Sequence, residues 1–205
     1  MVVIYYLLAV LGGYLIGCSN MAYYISRLRG IDMRSGGSKN LGASNAMVLM
    51  GWWIGIVVFI HDVGKAVAAV IVAKLLLPGV PTVGAAVGVA CVLGHIFPFY
   101  LKFKGGKGFA AYFGMTIALN WKLALAVLIG VALITLITDY IVVSTVTTMI
   151  AVPTYIGAAT GSWMLVLIIC IASAVILYKH RENYVRIWNG TEIGFRRANR
   201  GDDRQ

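Results

Sequence analysis

Acidic residues are scarce in this chain: Asp and Glu together number 7 in 205 residues, against 17 Lys and Arg, and charged residues of every kind make up 12%. A soluble domain carries about 25% charged residues, so that class is excluded at the outset. Cysteine is nearly absent too. Cys18, Cys91 and Cys170 each lie inside an apolar run with no CxxC or CxxH pair, which leaves no disulfide framework and no zinc site and makes them small buried hydrophobes. No metal centre and no cofactor is expected. The formal charge of +10 is not a nucleic-acid signature, because the basic residues stand at the ends of apolar runs and no nucleic-acid-binding motif accompanies them.

What the chain has instead is apolar length. Hydrophobic residues make up 60% and the mean hydropathy is +0.88, which places it among membrane proteins. A bilayer core takes about 20 apolar residues per helix, and seven segments qualify or nearly do: roughly 2–26, 47–77, 82–100, 109–119, 123–138, 141–158 and 162–178. The second is long for one straight span, with Gly51, Gly55 and Gly64 as places to bend or pack closely. The fourth is short, and a six-helix arrangement with that segment re-entrant is the alternative. The first run has no basic residue ahead of it and meets its first charge at Arg27, so it is expected to stay as an anchor rather than be cleaved as a signal. The expected fold is therefore a single all-α, polytopic integral membrane domain over 1–205, with a disordered tail from about residue 198.

Charge sets the expected orientation. With seven spans and the N-terminus outside, the inner loops and the tail collect fourteen of the seventeen basic residues, as the positive-inside rule requires. The same parity carries three polar islands to the cytoplasmic side. The first is Gly36 to Asn45, containing Ser38, Asn40 and Asn45 and leading into an apolar helix with Ser44 or Asn45 as its expected N-cap. The second is Gly94-His95-Ile96-Phe97-Pro98 followed by Phe103-Lys104-Gly105-Gly106-Lys107-Gly108, where lysines supply charge for phosphate and glycines let backbone N–H groups close on it. The third is His180-Arg181-Glu182-Asn183-Tyr184-Val185-Arg186 with Gly190-Thr191-Glu192. Each has a plainer reading: a capped loop, an inner loop obeying the positive-inside rule, and a juxtamembrane helix drawn to anionic lipid.

Within the second span, His61, Asp62 and Lys65 would each cost about 2.5 to 3.5 kcal/mol if left unpaired in the bilayer. They are either functional or a paired structural cluster. Ser144, Thr145, Thr147 and Thr148 are expected to form interhelical hydrogen bonds. A small anion transporter would need binding groups near the midplane with access from both faces, and a polar path from His61, Asp62 and Lys65 to the outer face would support one.

Together the motifs Gly37-Ser38-x-Asn40-x-Gly42-Ala43-Ser44-Asn45, Gly94-His95-x-Phe97-Pro98 with Phe103 to Gly108, and His180-Arg181-x-Asn183 with Arg186, Gly190 and Glu192 resemble the three signature motifs of the bacterial acyl-phosphate:glycerol-3-phosphate acyltransferases. Asp62-x-x-Lys65, Tyr140 and Ser144 resemble lesser landmarks of that family. The resemblance implies a seven-helix inner-membrane enzyme that moves a fatty acyl group from acyl phosphate, made by a separate soluble enzyme, to the 1-hydroxyl of sn-glycerol 3-phosphate. It implies His180, Asn183 and Lys107 as catalytic, with Ser38, Asn40, Asn45, His95, Lys104, Gly105, Gly106, Arg181, Arg186 and Glu192 binding substrate. The proton of the hydroxyl goes to His180, to His95 or to the departing phosphate. The His-x4-Asp dyad of the other large class of glycerolipid acyltransferases is absent, since Ala66, Tyr100 and Val185 stand where its aspartate would. Two departures stand out: Val48 where members usually carry an arginine, and Lys39 where glycine is common. Val48 alone raises the alternative of a paralogue that acylates another polyol phosphate or lipid acceptor, while Lys39 is placed to compensate for the missing arginine from the loop.

Overall fold

The structure, a computed structural model, describes residues 1–192, 194 and 196, and no strand occurs among them. The described residues hold, in order, the α-helices α1 Val2–Cys18, α2 Met21–Leu28, α3 Ala43–Met50, α4 Trp52–Leu76, α5 Val83–Ile96, α6 Phe109–Leu119, α7 Trp121–Thr138, α8 Ile141–Thr160, α9 Trp163–Lys179 and α10 Arg181–Trp188. They form two compact units, Met1–Leu119 and Asn120–Gln205. The expected disordered tail lies outside the described residues.

All seven apolar segments are helical. Five stretches are long and apolar enough to cross a bilayer: Val2–Leu28, Trp52–Leu76, Val83–Leu101, Trp121–Thr138 and Ile141–Thr160; a sixth arises if α9 and α10, bent by 45°, count as one. The chain is a multi-pass membrane protein. α6 has 11 residues, which at about 1.5 Å per residue covers only half of a hydrocarbon core.

Two spans are broken: the first, expected as one continuous helix, and the second, at Gly51, one of the glycines expected to allow a bend. The first stops at Cys18 because Asn20 caps a new helix, its Oδ1 accepting from Tyr23 N at 2.8 Å. The carbonyls freed by the break are taken up inside the protein: Tyr100 Oη donates to Cys18 O at 2.9 Å and Lys65 Nζ to Ser19 O at 2.6 Å. Irregular backbone at membrane depth survives only with such partners. In the second span, Gly51 at φ 97° separates α3 from α4, and α3 packs back on α4. The N-cap of α3 is Gly42 rather than Ser44 or Asn45; Asn45 lies within the first turn with its side chain engaged elsewhere, and Ser44 is exposed.

In the first unit, α5 is the central helix and packs against α1, α4 and α6. The α1–α5 contact is backbone on backbone. A Cβ at Gly17 would lie 2.0 Å from Cys91 O, so only glycine permits the approach. Gly17→Ala is therefore expected to cost about 1–3 kcal/mol, read as a thermal midpoint in detergent lowered by several degrees. Gly12→Ala, where nothing lies within 4 Å, should leave the midpoint unchanged or slightly raised.

In the second unit, α8 packs against both α7 and α9. Asn120 and Ser162 cap α7 and α9 through Leu123 N and Leu165 N. Of the hydroxyls expected to bridge helices, only Ser144 does so, accepting from Thr135 Oγ1 at 3.4 Å while donating to Ile141 O. Thr145, Thr147 and Thr148 return to carbonyls four residues back in their own helix, the local alternative open to threonine in a helix.

Candidate functional site

His61, Asp62, Lys65 and His95 of the first unit form one paired cluster. Lys65 Nζ lies 2.8 Å from Asp62 Oδ1, one helical turn earlier on α4, and 3.0 Å from His95 Nδ1 in the last turn of α5. His61 completes it, with Nδ1 at 3.4 Å from Asp62 Oδ1 and Nε2 at 3.1 Å from Ser19 Oγ. Asp62, Lys65 and His95 are buried, so the intramembrane charges are compensated by one another. Beyond Lys65 the buried face of α4 continues with Ala66, Ala69, Val70 and Ala73. That apolar run offers no polar path along α4 of the kind transport would need.

The glycine turn rests on this cluster. Gly105 N donates to Ile96 O at 3.0 Å and Gly106 N to His95 O at 3.1 Å. A Cβ at Gly106 would lie 2.0 Å from His95 Nε2, and one at Gly105 would lie 2.1 Å from His95 O. These two amides, expected to face an anion, are spent inward. The glycines are required because the turn lies directly on the end of α5 and the His95 ring. Lys104 is thereby left exposed and Lys107 half-buried at the edge of the turn.

The first island is organised by one side chain. Asn45 Oδ1 accepts from Ser38 N at 2.9 Å, and its Nδ2 donates toward Met33 O at 2.9 Å, Asn40 O at 3.0 Å and Gly36 O at 3.3 Å. The amide is thus committed to shaping the loop, and it leaves Ser38 and Lys39 exposed on the outside. Lys39, Lys102 and Phe103 hold φ of 55°, 54° and 58°. Left-handed backbone in non-glycine residues costs on the order of 1–3 kcal/mol and clusters at functional sites.

Arg34 joins the two loops, its Nη2 donating to Lys104 O at 2.8 Å. Beneath that bond Met33 and Leu41 of one loop and Leu101 of the other share an apolar anchor with Ala22, Ala46 and Val58. The structure therefore brings the first and second islands together as one cationic surface on the first unit. Val48 is 69% exposed on α3.

The third island belongs to the second unit. His180 stands between α9 and α10, its Nδ1 donating to Ile176 O at 2.8 Å, which leaves the lone pair of a neutral ring on Nε2. Glu192 accepts from Asn183 Nδ2 and from Arg186 Nε, each at 2.5 Å, so one carboxylate fixes both. Arg181 is exposed and stacks 4.3 Å over the Tyr178 ring.

Sequence reasoning passed over three contributors: the Ser19-Asn20 break, Tyr100 and Arg34. Asn20 inside an apolar run was the available signal, since asparagine is a preferred N-cap. Arg34 and Tyr100 act through contacts 70 and 82 residues away, which no local pattern announces.

Known proteins match this chain along most of its length. Residues 7–190 match the family described as glycerol-3-phosphate acyltransferase. Glycerol-3-phosphate acyltransferase 1 of Oceanobacillus iheyensis is 36% identical over 192 residues, covering 89% of this chain and 91% of that protein. The glycerol-3-phosphate acyltransferase of Geotalea daltonii is 34% identical over 190 residues, covering 92% and 96%. Among solved structures, PlsY (YgiH), an integral membrane glycerol 3-phosphate acyltransferase, in its glycerol 3-phosphate form superposes with a TM-score of 0.87 at 31% identity, covering 93% of this chain and 95% of that one. Its lysophosphatidic acid form gives 0.85 at 30% identity. With the three motifs, the helical order and this similarity in agreement, the chain belongs to the glycerol-3-phosphate acyltransferase family.

Proposed function

We propose that this membrane protein transfers a fatty acyl group from acyl phosphate to the 1-hydroxyl of sn-glycerol 3-phosphate, releasing lysophosphatidic acid and inorganic phosphate for phospholipid synthesis. The observation that carries the reading is the fold shared with PlsY in forms that hold glycerol 3-phosphate and lysophosphatidic acid, the acceptor and product of this reaction. The positive-inside distribution supports seven spans with the N-terminus outside and the C-terminus inside, and a site on the cytoplasmic face of the inner membrane. A soluble enzyme would deliver the acyl phosphate there.

The chemistry asks mainly for positioning of two anions and stabilisation of an oxyanion. The hydroxyl oxygen attacks the acyl carbonyl carbon, the tetrahedral intermediate collapses, and the bond from that carbon to the bridging phosphate oxygen breaks. The hydroxyl proton ends on the departing phosphate, directly or by way of His180. Lys104, Lys107, Ser38 and Asn40 bind phosphate oxygens. Asn45, His95, Gly105 and Gly106 hold the loops that present them. His180 and Asn183 orient glycerol phosphate, with Arg181 and Arg186 adding positive charge and Glu192 fixing Asn183 and Arg186.

The test follows inorganic phosphate from palmitoyl phosphate in lipid, with and without sn-glycerol 3-phosphate. Release by the wild type is expected to depend on acceptor, and Lys107→Ala is expected to lower it by about 100-fold, the scale of losing one charged contact to the reacting groups. Acceptor-dependent release undiminished in Lys107→Ala would remove that lysine from the site, and release independent of acceptor would defeat the reaction proposed.

A further inference from the structure

The proposed chemistry takes place at the loops, yet a cation is buried below them. Lys65 Nζ meets Ser19 O at 2.6 Å, Asp62 Oδ1 at 2.8 Å and His95 Nδ1 at 3.0 Å. An ammonium has three N–H donors and no acceptor, so these three partners match its full capacity; His95 Nδ1 also lies 3.3 Å from Asp62 Oδ1, so one ring nitrogen faces both members of the pair. They also come from three elements: the α1–α2 break, α4 and α5.

Two of these partners continue directly into the cationic loops. Ser19 precedes Asn20, whose Nδ2 donates to Leu41 O at 3.3 Å at the end of the first loop. His95 receives the Gly106 amide on its carbonyl and holds its ring against the Gly106 backbone. His61 closes the remaining side, touching both Ser19 Oγ and Asp62. Stability alone is a poor reason for such a cluster, since apolar replacement of a buried ion pair is often neutral or favourable.

We propose that Lys65 is a positioning residue: its ammonium, balanced by Asp62, pins the helix break and the glycine turn to one point and so fixes the spacing of the two cationic loops. The activity arm of its test rests on the acyl-transfer reading; the distance arm does not.

The experiment compares Lys65→Met with Asp62→Asn/Lys65→Met in full-length protein in lipid. Spin labels are placed at the exposed Ser35 and Lys102 in a Cys170→Ala background, in which the remaining Cys18 and Cys91 are buried. Lys65→Met alone leaves Asp62 without its ammonium and is expected to unfold at lower temperature. The double variant restores neutrality and should regain the wild-type midpoint, yet its label-to-label distance should broaden and its kcat should stay at least about 30-fold down, within the range that loss of loop placement produces. A double variant that recovers stability, a narrow distance and full turnover would show the cluster to be merely structural and would overturn the proposal. If the double variant fails to fold, the apolar pair Asp62→Leu/Lys65→Met is read in the same way. Should the labelled wild type show no acceptor-dependent release, the acyl-transfer reading falls, and the distance distribution still decides the role of Lys65.

Discussion

Gly106→Ala is expected to lower acceptor-dependent turnover by about 100-fold with little loss of folded protein. The added Cβ would lie 2.0 Å from His95 Nε2, well inside ordinary contact. The ring cannot simply swing away, because its Nδ1 is held by Lys65 at 3.0 Å. The turn must therefore lift, breaking the bond from Gly106 N to His95 O and carrying Lys107 with it. A displacement of about 1 Å near the reacting groups costs on the order of 100-fold. Phosphate release in lipid measures it, with Gly64→Ala as the control, since a Cβ there meets nothing within 4 Å. Activity in Gly106→Ala within two- or threefold of the control would mean that the turn does not place a working group.

The second large effect is expected at Asn45. Its amide joins Ser38 N, Met33 O, Gly36 O and Asn40 O, and truncation to alanine leaves several of these without a partner. At about 1–3 kcal/mol for each buried group left unsatisfied, the loop loses its shape while the membrane helices remain. kcat/KM for sn-glycerol 3-phosphate should fall by about 10- to 100-fold, since each 1.4 kcal/mol is a factor of ten. Asn45→Asp is the sharper variant. It keeps the oxygen that accepts from Ser38 N but turns the donor into a second carboxylate oxygen facing three carbonyls, so it should be at least as damaging as alanine. An aspartate variant with wild-type kcat/KM would contradict the assignment of Asn45 as loop organiser.

These two positions show what could be read from the sequence and what could not. The polar islands were visible because they interrupt apolar runs, and the helices from α5 to α9 begin and end close to the hydropathy boundaries. The roles within the islands were less legible. Glycines in a lysine-rich turn suit either an anion cradle or a close backbone approach, and the choice for Gly105 and Gly106 is made by the end of α5. The two helix breaks have the same origin. Asn20 in an apolar segment fits both a buried polar residue and a cap, and what settles it is Lys65, which supplies a donor for the orphaned carbonyl of Ser19, 46 residues earlier. His61, Asp62 and Lys65 are legible in the sequence as either functional or paired, and the pairing itself takes in His95 from another helix. Periodicity and propensity are local, and each of these outcomes is decided by a partner from a distant part of the chain.

The central claim is the identity of donor and acceptor, and product analysis tests it most directly. Purified protein in lipid is supplied with sn-glycerol 3-phosphate and, in parallel, with palmitoyl phosphate, palmitoyl coenzyme A or palmitoyl acyl carrier protein, and the lipid product is identified by mass spectrometry. Palmitoyl phosphate alone is expected to yield 1-palmitoyl-sn-glycerol 3-phosphate, with one phosphate released per lipid formed. Product formed only from one of the thioesters, or no lysophosphatidic acid from any donor, would contradict the account.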